Sequence, residues 1–154
     1  MAAVKAQQLI RDLGLVPLEG EGGYYRKIYT HRSGSRILGG TIYYLVDKDN
    51  YSRLHWLPTD EVWYFLEGSP LRQLVLYPDG RHSFTMLGFA SDGRKPIAIV
   101  PGGCWQGTKL EEADGYALCA TTMVPPYDPS RYRQGTNDLF SSYPDCPEIE
   151  EYLR

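Results

Sequence analysis

Turn-forming residues recur along this chain at short intervals, and that spacing limits the folds it can adopt. Clusters of Gly, Pro, Asp, Asn and Ser separate runs rich in β-branched and aromatic residues. The clearest turn is Tyr77-Pro78-Asp79-Gly80-Arg81, where proline presets φ and Asp-Gly tolerates left-handed backbone. Many short strands at this spacing indicate an antiparallel sandwich or barrel, and not a parallel α/β sheet.

The pattern predicts an all-β fold with an N-terminal helix and short C-terminal helices. Ala2 to Leu13 has a helical apolar stripe, and Gly14 is a stop signal. Short helical turns are expected over 128–143 and 147–154. The expected strands are Tyr24–Thr30, Arg36–Val46, Ser52–Leu57, Glu61–Glu67, Leu71–Tyr77, His82–Leu87, Ile97–Val100, Cys104–Lys109 and Tyr116–Val124.

Length and charge narrow the class of protein. The 154 residues fit one domain, with a helix over 1–14, a barrel over 20–126 and a tail over 127–154. A net charge of −3 without a basic face argues against a nucleic-acid partner. No apolar run approaches the ~20 residues that span a bilayer, and the N-terminus lacks the features of a signal peptide. We therefore expect a cytoplasmic protein with no membrane partner.

The three cysteines, Cys104, Cys119 and Cys146, are odd in number and widely spaced. This argues against a disulfide framework and against a structural zinc site. Reduced thiols are expected, which fits the cytoplasmic assignment.

The segment 52–68 is the most informative for chemistry. If the turn at 58–60 pairs the strands on either side, alternation places His55 on the same face as Glu61 and Trp63. That face is either a pocket floor or a core that contains a buried polar pair. A second segment, 101–106, has two glycines after a proline and then presents Gln106 on the next strand.

These segments resemble the two motifs of the cupins. In the first motif, His-x-His followed by Glu and Gly, His55, Glu61 and Gly68 match, whereas Leu57 stands at the second His. In the second motif, Pro101 and Gly103 match, whereas Gln106 stands at the His.

The resemblance extends to one uncharacterised cupin family, over roughly residues 9–143. Members of that family often carry His where this chain has Tyr64. The matching motifs are Glu21–Arg26, Ser52–His55, Asp60–Trp63, Gly68–Leu71, Pro101–Gln106 and Val124–Pro126. The resemblance implies a jelly roll of two antiparallel sheets.

Cupins that use a metal hold it with three His and one Glu, and here only His55 and Glu61 remain of that set. No cofactor is therefore expected. The alternative is a divalent metal held by His55, Glu61 and Gln106, although amides are weak ligands for transition metals. His31 and His82 are expected to be exposed loop residues that do not reach His55.

Metal-free cupins include sugar-nucleotide epimerases that use a His base and a Tyr acid. The resemblance implies His55 as the base, Glu61 as its orienting carboxylate and Tyr64 as a candidate acid. Arginines would stabilise an enolate. The expected ligand-binding residues are Tyr25, Arg26, Tyr43, Arg53, Trp63 and Gln106.

Three functions stay open at this point. The first is a protein that binds a small polar, sugar-like ligand, or a metal-independent isomerase or epimerase acting on one. The second is a metal-dependent dioxygenase or isomerase with a reduced ligand set. The third is a non-catalytic interaction module. A homodimer is expected because a small sandwich must cover its edge strands.

Overall fold

A computed structural model describes residues 1–154 and begins with helix α1, Ala2–Leu13. The helix ends at Gly14, whose φ of 65° is left-handed, as the sequence predicts. Ala6 of the helix packs with Leu45 and Leu118 on the outer face of a sheet. No helix of the chain is long and apolar enough to cross a membrane.

The rest of the fold is mostly β, and nine strands lie where the sequence predicts them. Two further strands, Val16–Pro17 and Arg133–Gln134, have only two residues each and were not predicted. The strands are β1 Val16–Pro17, β2 Tyr24–Ser33, β3 Arg36–Asp47, β4 Ser52–Trp56, β5 Glu61–Gly68, β6 Leu71–Leu76, β7 His82–Leu87, β8 Ile97–Val100, β9 Trp105–Leu110, β10 Tyr116–Met123 and β11 Arg133–Gln134.

The strands form two antiparallel sheets that pack face to face, so the predicted double-sheet fold is confirmed. One sheet has the order β1-β2-β3-β10-β5-β8, and the other has the order β11-β4-β9-β6-β7. Inward-facing side chains of both sheets, including Tyr44, Trp63 and Val75, form the largest buried cluster. This cluster is the interior of the barrel.

The predicted hairpin between β4 and β5 is wrong, because the two strands belong to different sheets. The turn at 58–60 carries the chain across the barrel instead. It is held by the loop before β9, where the Gly102 amide donates to Asp60 Oδ1 at 2.7 Å and the Gly103 amide to the Leu57 carbonyl at 2.9 Å. His55 and Glu61 therefore face each other across the interior instead of lying side by side on one sheet.

His31 and His82 lie in strands β2 and β7, not in loops as predicted. His31 Nε2 is 2.9 Å from Thr41 Oγ1, and the His82 ring packs edge-on against Phe84. Neither imidazole has a contact with His55, so the expectation that they do not reach it agrees with the structure.

The C-terminal tail covers the outer face of the second sheet. Helix α2, Leu139–Ser142, and a 3₁₀ segment, Pro147–Tyr152, pack on Leu54, Leu74 and Leu76. Tyr152 is fully buried, and a Cβ at Gly107 would lie 2.8 Å from its ring. Strand β9 therefore needs glycine at 107 for the tail to pack closely.

Replacing Tyr152 by alanine is expected to destabilise the protein by about 3–5 kcal/mol, as for other large buried aromatic residues. The matched control is Tyr29→Ala, because Tyr29 is 61% exposed. Chemical denaturation of both variants measures the two losses. Equal losses would show that the tail does not contribute to the core.

Candidate functional site

Glu61 is the first residue of β5 and its carboxylate points into the barrel, only 7% exposed. The Gln106 amide nitrogen on β9 donates to Glu61 Oε1 at 3.1 Å. The Trp63 indole nitrogen donates to the Gln106 carbonyl oxygen at 3.2 Å. The indole therefore fixes which way the amide points, and the amide fixes the carboxylate.

His55 lies on β4, directly opposite Gln106 in the strand register. Its Nδ1 is 2.7 Å from the Arg53 carbonyl, so Nδ1 carries a proton and donates. Its Nε2 is buried and has no hydrogen-bond partner. The Tyr132 ring stacks on the imidazole with 5.5 Å between centroids and an interplanar angle of 17°. The protein thus orients this imidazole and leaves one nitrogen unused.

Glu21 also lies at this site, although the sequence analysis names it only as part of the motif Glu21–Arg26 and gives it no role. Ser52 Oγ donates to Glu21 Oε2 at 3.0 Å. Glu21 Oε1 is 3.6 Å from His55 Nε2, beyond hydrogen-bond distance. Glu21 thus joins His55, Glu61 and Gln106 in a group that we call the polar cluster, defined by these four residues.

The glycines after Glu21 were the signal that could have revealed it. A Cβ at Gly22 would lie 2.0 Å from the Tyr51 carbonyl oxygen, and one at Gly23 would lie 2.2 Å from the Tyr44 hydroxyl. The Tyr44 hydroxyl also donates to the Gly22 carbonyl. Only glycine permits this close approach, which is what brings Glu21 to the barrel interior.

The surroundings of the polar cluster raise the pKa of Glu61 and of three tyrosines. Burial raises the pKa of Glu61 to about 7, and the charge of Glu21 adds to the rise, while His55 and hydrogen bonds from Thr121 and Gln106 oppose it. Burial, and after it the charge of Glu21, also raises the pKa of three surrounding tyrosines, Tyr44, Tyr127 and Tyr132.

Several predicted site residues do lie at the polar cluster. Trp63 and Gln106 belong to its hydrogen-bond chain. Tyr25 packs against the interior core and lies opposite Tyr44 in the strand register. Tyr44 faces the barrel interior, whereas Tyr43 was the tyrosine predicted to do so. Sequence alternation alone could not settle which tyrosine of the Tyr43-Tyr44 pair faces inward.

Other predicted site residues are not brought to the cluster. Tyr43 packs with helix α1 outside the barrel, and Arg26 donates to the Leu13 carbonyl at 3.0 Å. Tyr64 alternates with Glu61 and Trp63 along β5 and so faces away from the interior. The Arg53 guanidinium lies over the Tyr51 ring, 5.5 Å from its centroid, and beside Gly22, so it borders the cluster without bonding to its side chains.

The residues present do not fit the metal site of a cupin. The chain contains no group of three or more His, Cys, Asp or Glu side chains that could hold a metal ion. The Gln106 carbonyl oxygen already accepts a hydrogen bond from Trp63, and the nitrogen of the same amide donates one to Glu61.

Two surface clefts lie elsewhere on the chain. One, of about 450 Å³, is formed by the tail around Phe140 and Leu153, and the other, of about 390 Å³, lies beside Trp105 and Tyr143. Neither is lined by a residue of the polar cluster. The polar cluster is therefore separate from these two clefts.

A double-sheet antiparallel barrel with an inward-facing polar cluster defines a protein of the jelly-roll class. The chain belongs to the cupin superfamily, since the family model described as Cupin superfamily (DUF985) matches residues 7–134. It is 29% identical to protein SO0799 from Shewanella oneidensis, with a TM-score of 0.85 and coverage of 96% of both chains.

Two further likenesses agree. The chain is 27% identical to the uncharacterized protein YML079W of Saccharomyces cerevisiae, over 79% of this chain and 71% of the relative. A cupin 2 conserved barrel domain protein from Rhodopseudomonas palustris has a TM-score of 0.66 at 12% identity, over 91% of this chain and 89% of the other. The last likeness shows the jelly-roll fold alone.

Replacing Glu61 by glutamine is expected to stabilise the protein in a pH-dependent way. Folding raises the pKa of Glu61 from 4.5 to about 7, so the free energy of unfolding of the wild type falls as the pH rises from 4.5 to 7. The free energy of unfolding of Glu61→Gln should exceed that of the wild type by near zero at pH 4.5 and by about 3 kcal/mol above pH 7. Denaturant unfolding across this pH range measures it.

Glu112→Gln is the matched control, because Glu112 is exposed. The difference in free energy of unfolding between this control and the wild type is expected to stay constant with pH. A constant difference between Glu61→Gln and wild type at every pH would contradict the raised pKa.

Proposed function

We propose that this cupin binds a small polar, sugar-like ligand at the polar cluster, through His55 Nε2. The observation that carries the proposal is that this nitrogen is buried without a hydrogen-bond partner. Buried polar atoms normally have one, and an exception needs an explanation. A ligand hydroxyl or amine would supply the missing partner.

The surroundings of the polar cluster support a ligand site over an inert core. Glu61, His55 and Gln106 are all less than 10% exposed, yet they are polar where an interaction module with a vestigial pocket would be filled by apolar side chains. Tyr132 supplies aromatic surface beside His55. Aromatic walls with a few oriented polar groups are typical of small-molecule sites.

The same residues support a metal-independent isomerase or epimerase as the reaction. His55 Nε2 would accept a proton from a carbon next to a carbonyl, and the C–H electron pair would pass into the enolate. Glu61, with a pKa of about 7, is matched to holding and returning a proton at neutral pH. Glu61 replaces Tyr64 as the candidate acid, since Tyr64 faces outward.

Titration with D-glucose, D-galactose and L-rhamnose, followed by NMR of the imidazole ring signals, tests ligand binding. A sugar that binds the cluster is expected to shift the His55 Nε2 signal, and His55→Gln is expected to abolish its binding. His82→Gln is the matched control and should bind as wild type does, because His82 lies on β7 away from the cluster. Shifts confined to His31 or His82 would contradict the proposal.

We also propose that two copies of this chain associate through the outer face of β5 and β8. The register pairs Val62 with Ile99 and Tyr64 with Ile97, all on the face opposite Glu61. Ile97 and Ile99 are 51% and 64% exposed, and Leu66 beside them is 44% exposed. Strand β8 is also an edge of its sheet, so two-fold pairing would cover both the apolar face and the open edge.

Light scattering of the wild type is expected to give a dimer, and Ile99→Glu is expected to give a monomer, because a buried unpaired charge opposes association. Val4→Glu is the control, since Val4 is exposed on helix α1, and it should stay dimeric. A monomeric wild type would overturn the proposal.

A further inference from the structure

We infer that the ligand group held between Glu21 and His55 is a protonated amine, so that the site selects cationic ligands over neutral and anionic ones. This inference rests on the proposed binding function and not on the isomerase reaction, because an amine bonded to His55 Nε2 would occupy the nitrogen that acts as the base. It adds Glu21 as a residue that determines specificity. Sugar phosphates and sugar acids are excluded by the same argument.

The first step is the geometry of two acceptors that face each other. Because Nδ1 of His55 donates to the Arg53 carbonyl, Nε2 is the ring nitrogen that is left to bond a ligand, and it is buried without a partner. That nitrogen lies 3.6 Å from Glu21 Oε1, which is an acceptor. A donor placed about 2.9 Å from each atom would satisfy both.

The second step is the number of protons the donor needs. A hydroxyl has one proton and can donate to only one of the two acceptors, whereas an ammonium group has three. Glu21 Oε2 already accepts from Ser52, which holds the carboxylate in place for this contact. The ammonium group therefore matches the pair of acceptors better than a hydroxyl does.

The third step is the charge of the surroundings. Glu21 and Glu61 lie close enough for the charge of one to oppose ionisation of the other. No Lys or Arg side chain bonds to the polar cluster. Arg53, whose charge acts on Tyr132, lies over the Tyr51 ring and beside Gly22, and its guanidinium bonds to neither carboxylate. A cationic ligand would balance two carboxylates, whereas an anionic one would be repelled.

The fourth step is the aromatic wall. Tyr132 stacks on His55, and Tyr127 lies within the field of both Glu21 and Glu61. Aromatic faces attract cations electrostatically, and the attraction strengthens when water is excluded. Carboxylates with tyrosine rings are a common arrangement for ammonium recognition.

A matched set of D-glucosamine, D-glucose and D-glucuronate tests the inference, because the three share one ring and differ in charge. Affinities are measured by NMR titration of the full chain at a pH where the amine is protonated. Glucosamine is expected to bind at least about tenfold more tightly than glucose, the size expected for a charge-assisted hydrogen bond. Glucuronate is expected to bind more weakly than glucose.

Glu21→Gln keeps the shape and the acceptor for Ser52 but removes the charge, so it should reduce the ratio of glucosamine affinity to glucose affinity to about twofold or less. Glu19→Gln is the matched control, because Glu19 is exposed two residues away, and it should keep the wild-type preference. Heat denaturation of both variants confirms that they are folded.

The outcomes separate the two proposals. Glucose or glucuronate binding at the cluster as tightly as glucosamine would overturn the inference of a cationic ligand and leave the binding site in place. No shift at the cluster with any of the three sugars would overturn both. A preference for glucosamine that survives in Glu21→Gln would overturn the role of Glu21.

Discussion

A polar link between the two sheets is the constraint on which the interior of this barrel depends. Glu61 and Trp63 lie on β5 of one sheet, and Gln106 lies on β9 of the other. The Gln106 amide bonds to both side chains, so it joins the sheets across the core. Because each group in this link has a defined donor or acceptor role, the link also fixes the carboxylate at the centre of the site.

Much of the fold was predictable because it depends on local signals. The turn residues, the alternation along strands and the helix stop at Gly14 each act within a few residues of chain, and nine strands and the helix follow from them. Strand pairing was harder to predict from the sequence, because it depends on contacts between distant segments. The β4–β5 hairpin was expected from a short turn, whereas the loop before β9 binds that turn and directs β5 into the other sheet.

The site was predictable in its motif residues and not in its tertiary contacts. His55, Glu61 and Gln106 were predicted together, and they do lie together. Glu21 was missed because it lies 34 residues from His55 in the sequence, and its position depends on glycines that fit against Tyr51 and Tyr44. A Gly-Gly pair in a sequence does not by itself show that a neighbouring segment lies too close for any side chain.

The energetics of Glu61 favour a functional interpretation of the cluster. Holding this carboxylate in the interior costs about 3 kcal/mol at neutral pH, out of the 5–15 kcal/mol by which domains are typically stable. A glutamine at the same position would accept the bond from Gln106 without that cost, so the hydrogen-bond link alone does not account for an ionisable group here. Part of this cost comes from Glu21, which brings a second carboxylate toward the first. An arrangement that lowers stability in this way is typical of a site organised for a ligand or a proton, because binding of either recovers the energy of the unpaired groups.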